Sequence, residues 1–228
     1  MIRKTKLWAT LAGAALLAGC DATGTGGSLS FLDASTDPAN FAAASAQLAG
    51  GAIVVSGPDG YCVDASTLRA TRVGGFAAVA SCNILSGGET GPIVEPVLVT
   101  VTVSRATGPA PEPSDLARAL GTELLSNREM SAIIAGRMAS GGETAFQGSD
   151  PRHWRGAFTL GPHMIGLALY APQGSPLVGA QGAAFLNTVS SRIRANSAPA
   201  EQSAEQSQTT PDPITAGLGR LFGRGDLQ

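Results

Sequence analysis

Three stretches of this sequence predict an α+β fold built on an antiparallel sheet. Val97, Val99, Val101 and Val103 alternate with Leu98, Thr100, Thr102 and Ser104, the period of two that marks a half-buried strand. Trp154 to Leu160 and His163 to Tyr170 flank Gly161-Pro162, which reads as a hairpin around a turn. The element order is strands, helices, a group of strands and a last helix, so the helices are expected to pack on one face of the sheet.

The chain opens with Arg3, Lys4 and Lys6, then an uncharged, mostly apolar run from Leu7 to Ala18, closed by Leu17-Ala18-Gly19-Cys20. This is the three-part layout of an export leader. The apolar run is shorter than the roughly 20 residues that span a bilayer. Leu-Ala-Gly-Cys resembles the lipobox of bacterial lipoproteins. The resemblance covers residues 1–21. It implies diacylation of Cys20 with fatty acids such as palmitate, loss of residues 1–19, and acylation of the new amino terminus. An uncleaved anchor or a plain secretory leader are the alternatives. The protein would then be exported and face the periplasm, held to the membrane by its lipid. Asp21 resembles the residue that keeps enteric lipoproteins in the inner membrane, and gives a lean that way over the outer membrane.

The chain has 228 residues, and 209 after such cleavage, enough for one core but short for two domains with tails. Without Arg3, Lys4 and Lys6, 12 basic residues face 17 acidic ones, a formal charge of −5. An acidic chain without a basic block is a poor nucleic-acid binder. No lysine follows Lys6. Arginine alone suits phosphate or carboxylate recognition, but the arginines are scattered, as a codon bias would leave them. Aromatic residues make up 5%, so Val, Ile, Leu and Ala must build the core, and a cross-link would help it. Cys62 and Cys82 suit that need. In an oxidising compartment they are expected to pair as a disulfide. A redox or metal pair is the alternative, but the C-x-x-C spacing is absent.

After the lipid site, Asp21 to Ser30 is small and polar, a flexible tether. Asp37-Pro38 predicts a helix start, continued by Phe41 and Leu48 on an alanine-rich stretch and stopped at Gly50-Gly51. Ala52 to Ser56 is a short strand, Gly57-Pro58-Asp59-Gly60 a turn, and Tyr61 to Asp64 its continuation. Gly75 to Cys82 is a further strand, followed by a Gly, Glu and Pro loop over 86–96. Beyond the valine strand, a Pro-rich connector spans 106–113. Ser114 then caps a helix with Leu116, Leu120 and Leu124 at spacings of four. Met130, Ile133, Ile134 and Met138 predict a second helix or the continuation of a bent one, with the methionines in the core. Thr144 to Gln147 is expected as a strand, and Gly179 to Ala195 as the last helix, with Phe185, Val189 and Ile193 on one face. The tail from Asn196 is Gln, Ser, Glu, Thr and Pro without aromatics, expected to be disordered. A short amphipathic segment with Ile214, Leu218, Leu221 and Phe222 beside Arg220 and Arg224 ends it. The expected organisation is a leader (1–19), a lipidated tether (20–36), one disulfide-tied globular domain (37–195) and a tail (196–228).

A Gly-Pro-x-Gly-aromatic turn after the first strand, at Gly57 to Tyr61, and a hairpin leading into a last amphipathic helix resemble the PsbP-like α+β domains of chloroplast and bacterial proteins. The parallels fall within residues 52–194. They imply a fold, and carry no site residue and no activity.

The best candidate binding group is Arg152, Trp154 and Arg155. Two guanidiniums around an indole could stack on or fork to an anionic ligand such as a carboxylate or a glycan acid. The structural alternative is a loop whose arginines face water and whose tryptophan packs under the hairpin. A zinc site at His153 and His163 with Glu143 or Asp150 is not expected, because the hairpin holds the histidines roughly 20 Å apart. There is no G-x-S-x-G, no H-E-x-x-H and no Walker lysine, and Gly217-Leu218-Gly219 lacks the third glycine of a dinucleotide loop. No catalytic residue, metal or cofactor is assigned. The tail segment could dock on a partner or the membrane surface, or do nothing. The first expectation is a lipid-anchored, non-catalytic interaction or assembly module of the cell envelope, with an envelope partner reached through the tail. A small-ligand or glycan-binding lipoprotein is the alternative, and an envelope hydrolase the second.

Overall fold

The computed structural model describes residues 41–197. The expected lipidation site Cys20, the expected tether and Asp37-Pro38 helix start, and the tail beyond Ser197 lie outside the described residues. The chain runs β1 (Ala42–Ala43), β2 (Ser45–Leu48), β3 (Ile53–Ser56), β4 (Tyr61–Asp64), β5 (Arg69–Ala70), β6 (Gly75–Ser81) and α1 (Cys82–Leu85). It continues with β7 (Leu98–Arg105), α2 (Pro113–Leu120), β8 (Leu124–Glu129), β9 (Ile134–Met138), β10 (His153–Leu160), β11 (His163–Tyr170) and α3 (Ala180–Asn196).

The predicted α+β class is what is found: an antiparallel sheet in the order β1-β4-β6-β7-β11-β10-β9-β8, with β5 also on β6 and a separate β2–β3 hairpin. At its centre β7 pairs with β11 from Leu98↔Tyr170 to Arg105↔His163. The register puts Val99, Val101 and Val103 on one face with Ile165, Leu167 and Leu169, all buried. α3 lies over that face with Leu186, Val189 and Ile193 inward, the three-and-four spacing of a helix with one apolar stripe. Each such side chain contributes about 1.5–3 kcal/mol when removed from water. The β2–β3 hairpin joins this layer, and Leu48, Ile53 and Val55 are buried in the same core. The end of α3 pins it: Asn196 Nδ2 donates to Ser56 Oγ, Val54 N donates to Ser197 Oγ, and Arg192 reaches Asp59 and the Gly57 carbonyl.

The helices divide between faces. α2 lies against the opposite side, because Gly136, the ladder partner of Arg155, faces Pro113 and Leu124, whereas Trp154 and Gly156 face α3 and Ile133. A Cβ at Gly136 would lie 2.6 Å from that of Pro113, so glycine sets how closely α2 approaches. The outer edge strand, β8, carries a register shift between Leu124 and Ser126.

Three expected elements are different. The alanine-rich stretch before Gly50 is not a helix within the described residues but β1 and β2. Its burial alternates, with Ala46 and Leu48 inward and Ser45 and Gln47 outward, so pairing and packing override the helix preference of alanine. Gly50-Gly51, expected as a helix stop, makes the tight link to β3, with φ of 67° and 97°. The helix expected over Met130 to Met138 is β9, preceded by β8. Both faces of β9 are covered, so Ala135 and Met138 are both buried, and a two-sided strand loses the period-two signature. α2 itself ends at Gly121, in the left-handed conformation with φ 65°. Thr144 to Gln147 forms no strand; Gly142–Thr144 is a single 3-10 turn.

The Cys62–Cys82 disulfide is present, with Cα atoms 4.9 Å apart. Cys62 pairs with Ala80 in the β4–β6 ladder, so the bridge ties β4 to the start of α1, just beyond the ladder's end. None of the described helices is long and apolar enough to cross a membrane.

Candidate functional site

The residues singled out at the start of β10 are close in sequence but do not converge. Successive strand residues point to opposite faces, and Trp154 and Arg155 obey that rule. Trp154 is 1% exposed. Its Nε1 donates to the carbonyls of Val178 (3.2 Å) and Gly179 (2.9 Å), and α3 sits so near that a Cβ at Gly182 would come within 2.5 Å of the indole. The indole is therefore a core side chain and offers no face to a ligand. Arg152 is occupied by buried Asp150, with Nε to Oδ1 and Nη2 to Oδ2 both at 2.9 Å, and its own backbone N–H also reaches Oδ1. This bidentate fork, helped by Arg137 nearby, holds the Asp150 carboxyl below its usual range against the opposing effect of burial.

Arg155 points to the other face. Its Nε donates to His153 Nε2 at 2.9 Å and its Nη2 to the Tyr170 hydroxyl at 2.8 Å. The His153 ring stacks on Tyr170 with centroids 5.2 Å apart, and its Nδ1 lies 3.3 Å from the Pro151 carbonyl. Nε2 accepts from a guanidinium that cannot give up its charge, so the proton sits on Nδ1 and donates to Pro151. His153 is 2% exposed, and burial is the main reason its pKa falls. The Arg155 charge lowers it further, while the Pro151 bond and Glu143 work the other way. A cleft of about 170 Å³ adjoins Arg155, floored by Gly156, Ala157, Gly166 and Ala168 and walled by Leu116.

Below about pH 6.5 the unfolded chain protonates His153 while the folded chain keeps it neutral, so the unfolded state binds more protons. Stability is therefore expected to fall as pH drops from 7 towards 5, and a His153→Gln variant should show a shallower slope in urea-unfolding midpoints. Equal slopes would mean the ring protonates in place.

His163 lies at the opposite end of the hairpin, where Leu160 pairs with His163 and Trp154 with Leu169. Among the described residues no three His, Cys, Asp or Glu side chains stand together as a metal-holding group. His163 borders a cleft of about 80 Å³ with Arg72, Val73, Arg105 and Pro162. Sequence reading missed this cluster because its members come from three separated segments, joined by the β7–β11 register and by the β5–β6 loop packing on the end of β7.

The loop beyond the disulfide is the other distinctive surface. Ser86 Oγ bonds the Asn83 and Thr90 carbonyls and receives the Thr90 N–H. Asn83 Nδ2 donates to the Gly91 carbonyl and Tyr61 Oη to that of Glu95. A Cβ at Gly91 would lie 2.9 Å from that of Cys82. Held at so many points, the segment still leaves Ile93 90% and Ile84 58% exposed.

The chain matches no protein-family model, no curated protein and no solved structure.

Proposed function

We propose that this is a lipid-anchored, periplasm-facing envelope protein whose domain works as a non-catalytic interaction module. Its leader and Leu-Ala-Gly-Cys sequence support the anchor, and the tail segment Ile214 to Arg224 supplies a second candidate contact. The observation that carries the reading is the braced loop of residues 82–96. Exposed apolar side chains gathered on one surface mark interaction sites, and Ile84 and Ile93 stand on the same braced loop. A loop fixed by a disulfide and by side-chain bonds to its own carbonyls loses little entropy on binding. Ile84 and Ile93 are thus preorganised as apolar anchors for a protein partner.

The test uses native membranes. The intact mass of the extracted protein should show loss of residues 1–19 and gain of three acyl chains; an unprocessed mass would end the anchor reading. Cross-linking should then yield a partner set that Ile93→Asp depletes at least about tenfold, the loss expected for an interface anchor. Leu120→Asp, an exposed leucine on α2, should leave that set unchanged. Equal partner recovery with Asp at position 93 would remove the loop from the function.

A further inference from the structure

The cleft at the far end of the sheet gathers positive charge without a counter-charge. β7 ends at Arg105, the register partner of His163 at the start of β11. Arg105 shares a face with Val103, and His163 with Ile165, by the alternation of the strands. The loop leaving β5 closes over this corner. Gly74 presses on the end of β7, where a Cβ would lie 2.3 Å from the Val103 carbonyl oxygen, and the adjacent Arg72 and Val73 line the cleft with Arg105, Pro162 and His163.

The frame around these side chains is fixed. Thr71 and Gly74 exchange bonds, with Thr71 N donating to the Gly74 carbonyl and Gly74 N donating to Thr71 Oγ1. Gly50 N holds the Thr71 carbonyl, and Ala106 N holds that of Pro162. No carboxylate lines the cleft. Among the described residues, neither Arg72 nor Arg105 has a hydrogen-bond or ion-pair partner, in contrast to Arg118, Arg152 and Arg192, each paired with an aspartate. The Nδ1 of His163 is buried and has no partner either. A buried ring nitrogen without a partner is uncommon and calls for one. Two exposed guanidiniums lining one cleft give it a positive potential that an anion would offset.

We propose that Arg72, Arg105 and His163 form a binding site for a phosphate-type oxyanion. Guanidinium forks match tetrahedral oxyanions in charge and hydrogen-bond geometry. His163 lines the same cleft, and a turn of its ring would bring the buried, unpartnered Nδ1 to the anion as a third donor. The cleft of about 80 Å³ suits one such group and excludes a bulky organic ligand. The oxyanion comes either from free phosphate or from the headgroup of an anionic phospholipid. The site lies apart from the braced loop and does not depend on its role.

The experiment exploits the two histidines of the chain. The full chain, with ring-labelled histidine and in non-ionic detergent micelles, is titrated with inorganic phosphate in one arm. In the other arm phosphatidylglycerol is added to the micelles. The His163 resonances should move and saturate while those of buried His153 stay still, which also reports an intact fold. Movement with phosphate identifies a soluble anion, and movement with phosphatidylglycerol alone identifies the headgroup; either supports the site. The double variant Arg72→Gln/Arg105→Gln, with both positions exposed, should shift half-saturation at least about tenfold upward, as loss of charge-assisted bonds predicts. A His163 spectrum unmoved in both arms would overturn the proposal. So would equal half-saturation in the double variant.

Discussion

Trp154→Ala is expected to cost about 3–5 kcal/mol, the range for emptying a large aromatic site in a core. The indole is the largest fully buried side chain among the described residues, and three things depend on it. It fills the layer between β10 and α3, it closes the approach of α3 at Gly182, and it satisfies the carbonyls of Val178 and Gly179 just before that helix begins. Removing it leaves a void against a helix that cannot move inwards, because the Gly182 backbone already sits beside the Leu177 carbonyl. For a domain of this size the loss corresponds to a fall in Tm of roughly 6–20 °C. Urea unfolding, followed by circular dichroism, measures it. Trp154→Phe should recover most of the packing but not the two hydrogen bonds. A Trp154→Ala protein within about 1 kcal/mol of the parent would show that α3 does not rest on the indole.

Breaking the Cys62–Cys82 bridge should cost about 3 kcal/mol, the chain-entropy value for a closed loop near 20 residues. The bridge encloses β5 and β6, so it limits the unfolded state across two strands of the sheet. It also fixes the base of the 82–96 loop. The urea midpoint should therefore fall in the Cys62→Ala/Cys82→Ala variant and, to the same extent, in the parent under reducing agent. Limited proteolysis should then cut first within residues 82–96. An unchanged midpoint after verified reduction would mean that the β4–β6 ladder holds this corner alone.

The parts of the fold that were legible in the sequence are those buried on a single face or marked by a turn. The valine strand β7 and the last helix each present one apolar and one polar side, so period reveals them, and the hairpin β10–β11 is revealed by its Gly161-Pro162 turn although both of its faces are largely buried. β9 is covered on both faces, and Ile133, Ile134 and Met138 fall at spacings that serve a helix equally well. β1 and β2 read as helix because their alanine-rich stretch carries a local preference that only pairing, with β4 and β3, overrules. The same limit applies to the candidate site. Arg152, Trp154 and Arg155 stand together in the sequence, but strand alternation sends Trp154 to the core and Arg155 to the opposite face, and Arg152 closes on Asp150 two residues before it. Arg72, Arg105 and His163 carry no motif. Their meeting is a product of register, and register is decided by the whole sheet.

The register shift in β8 bears on crowding. A straight outer strand offers its free N–H and C=O groups to the next copy of the chain, and proteins confined to a surface meet their own kind far more often than in solution. β8 interrupts that offer with its register shift at Leu124/Ser126 and with exposed Arg128 and Glu129 near its end. Unpaired charges and a broken hydrogen-bond rhythm make a poor template for strand addition. For a chain held at a membrane surface by lipid, as proposed above, this rim lets neighbours collide without zipping through β8 into a continuous sheet.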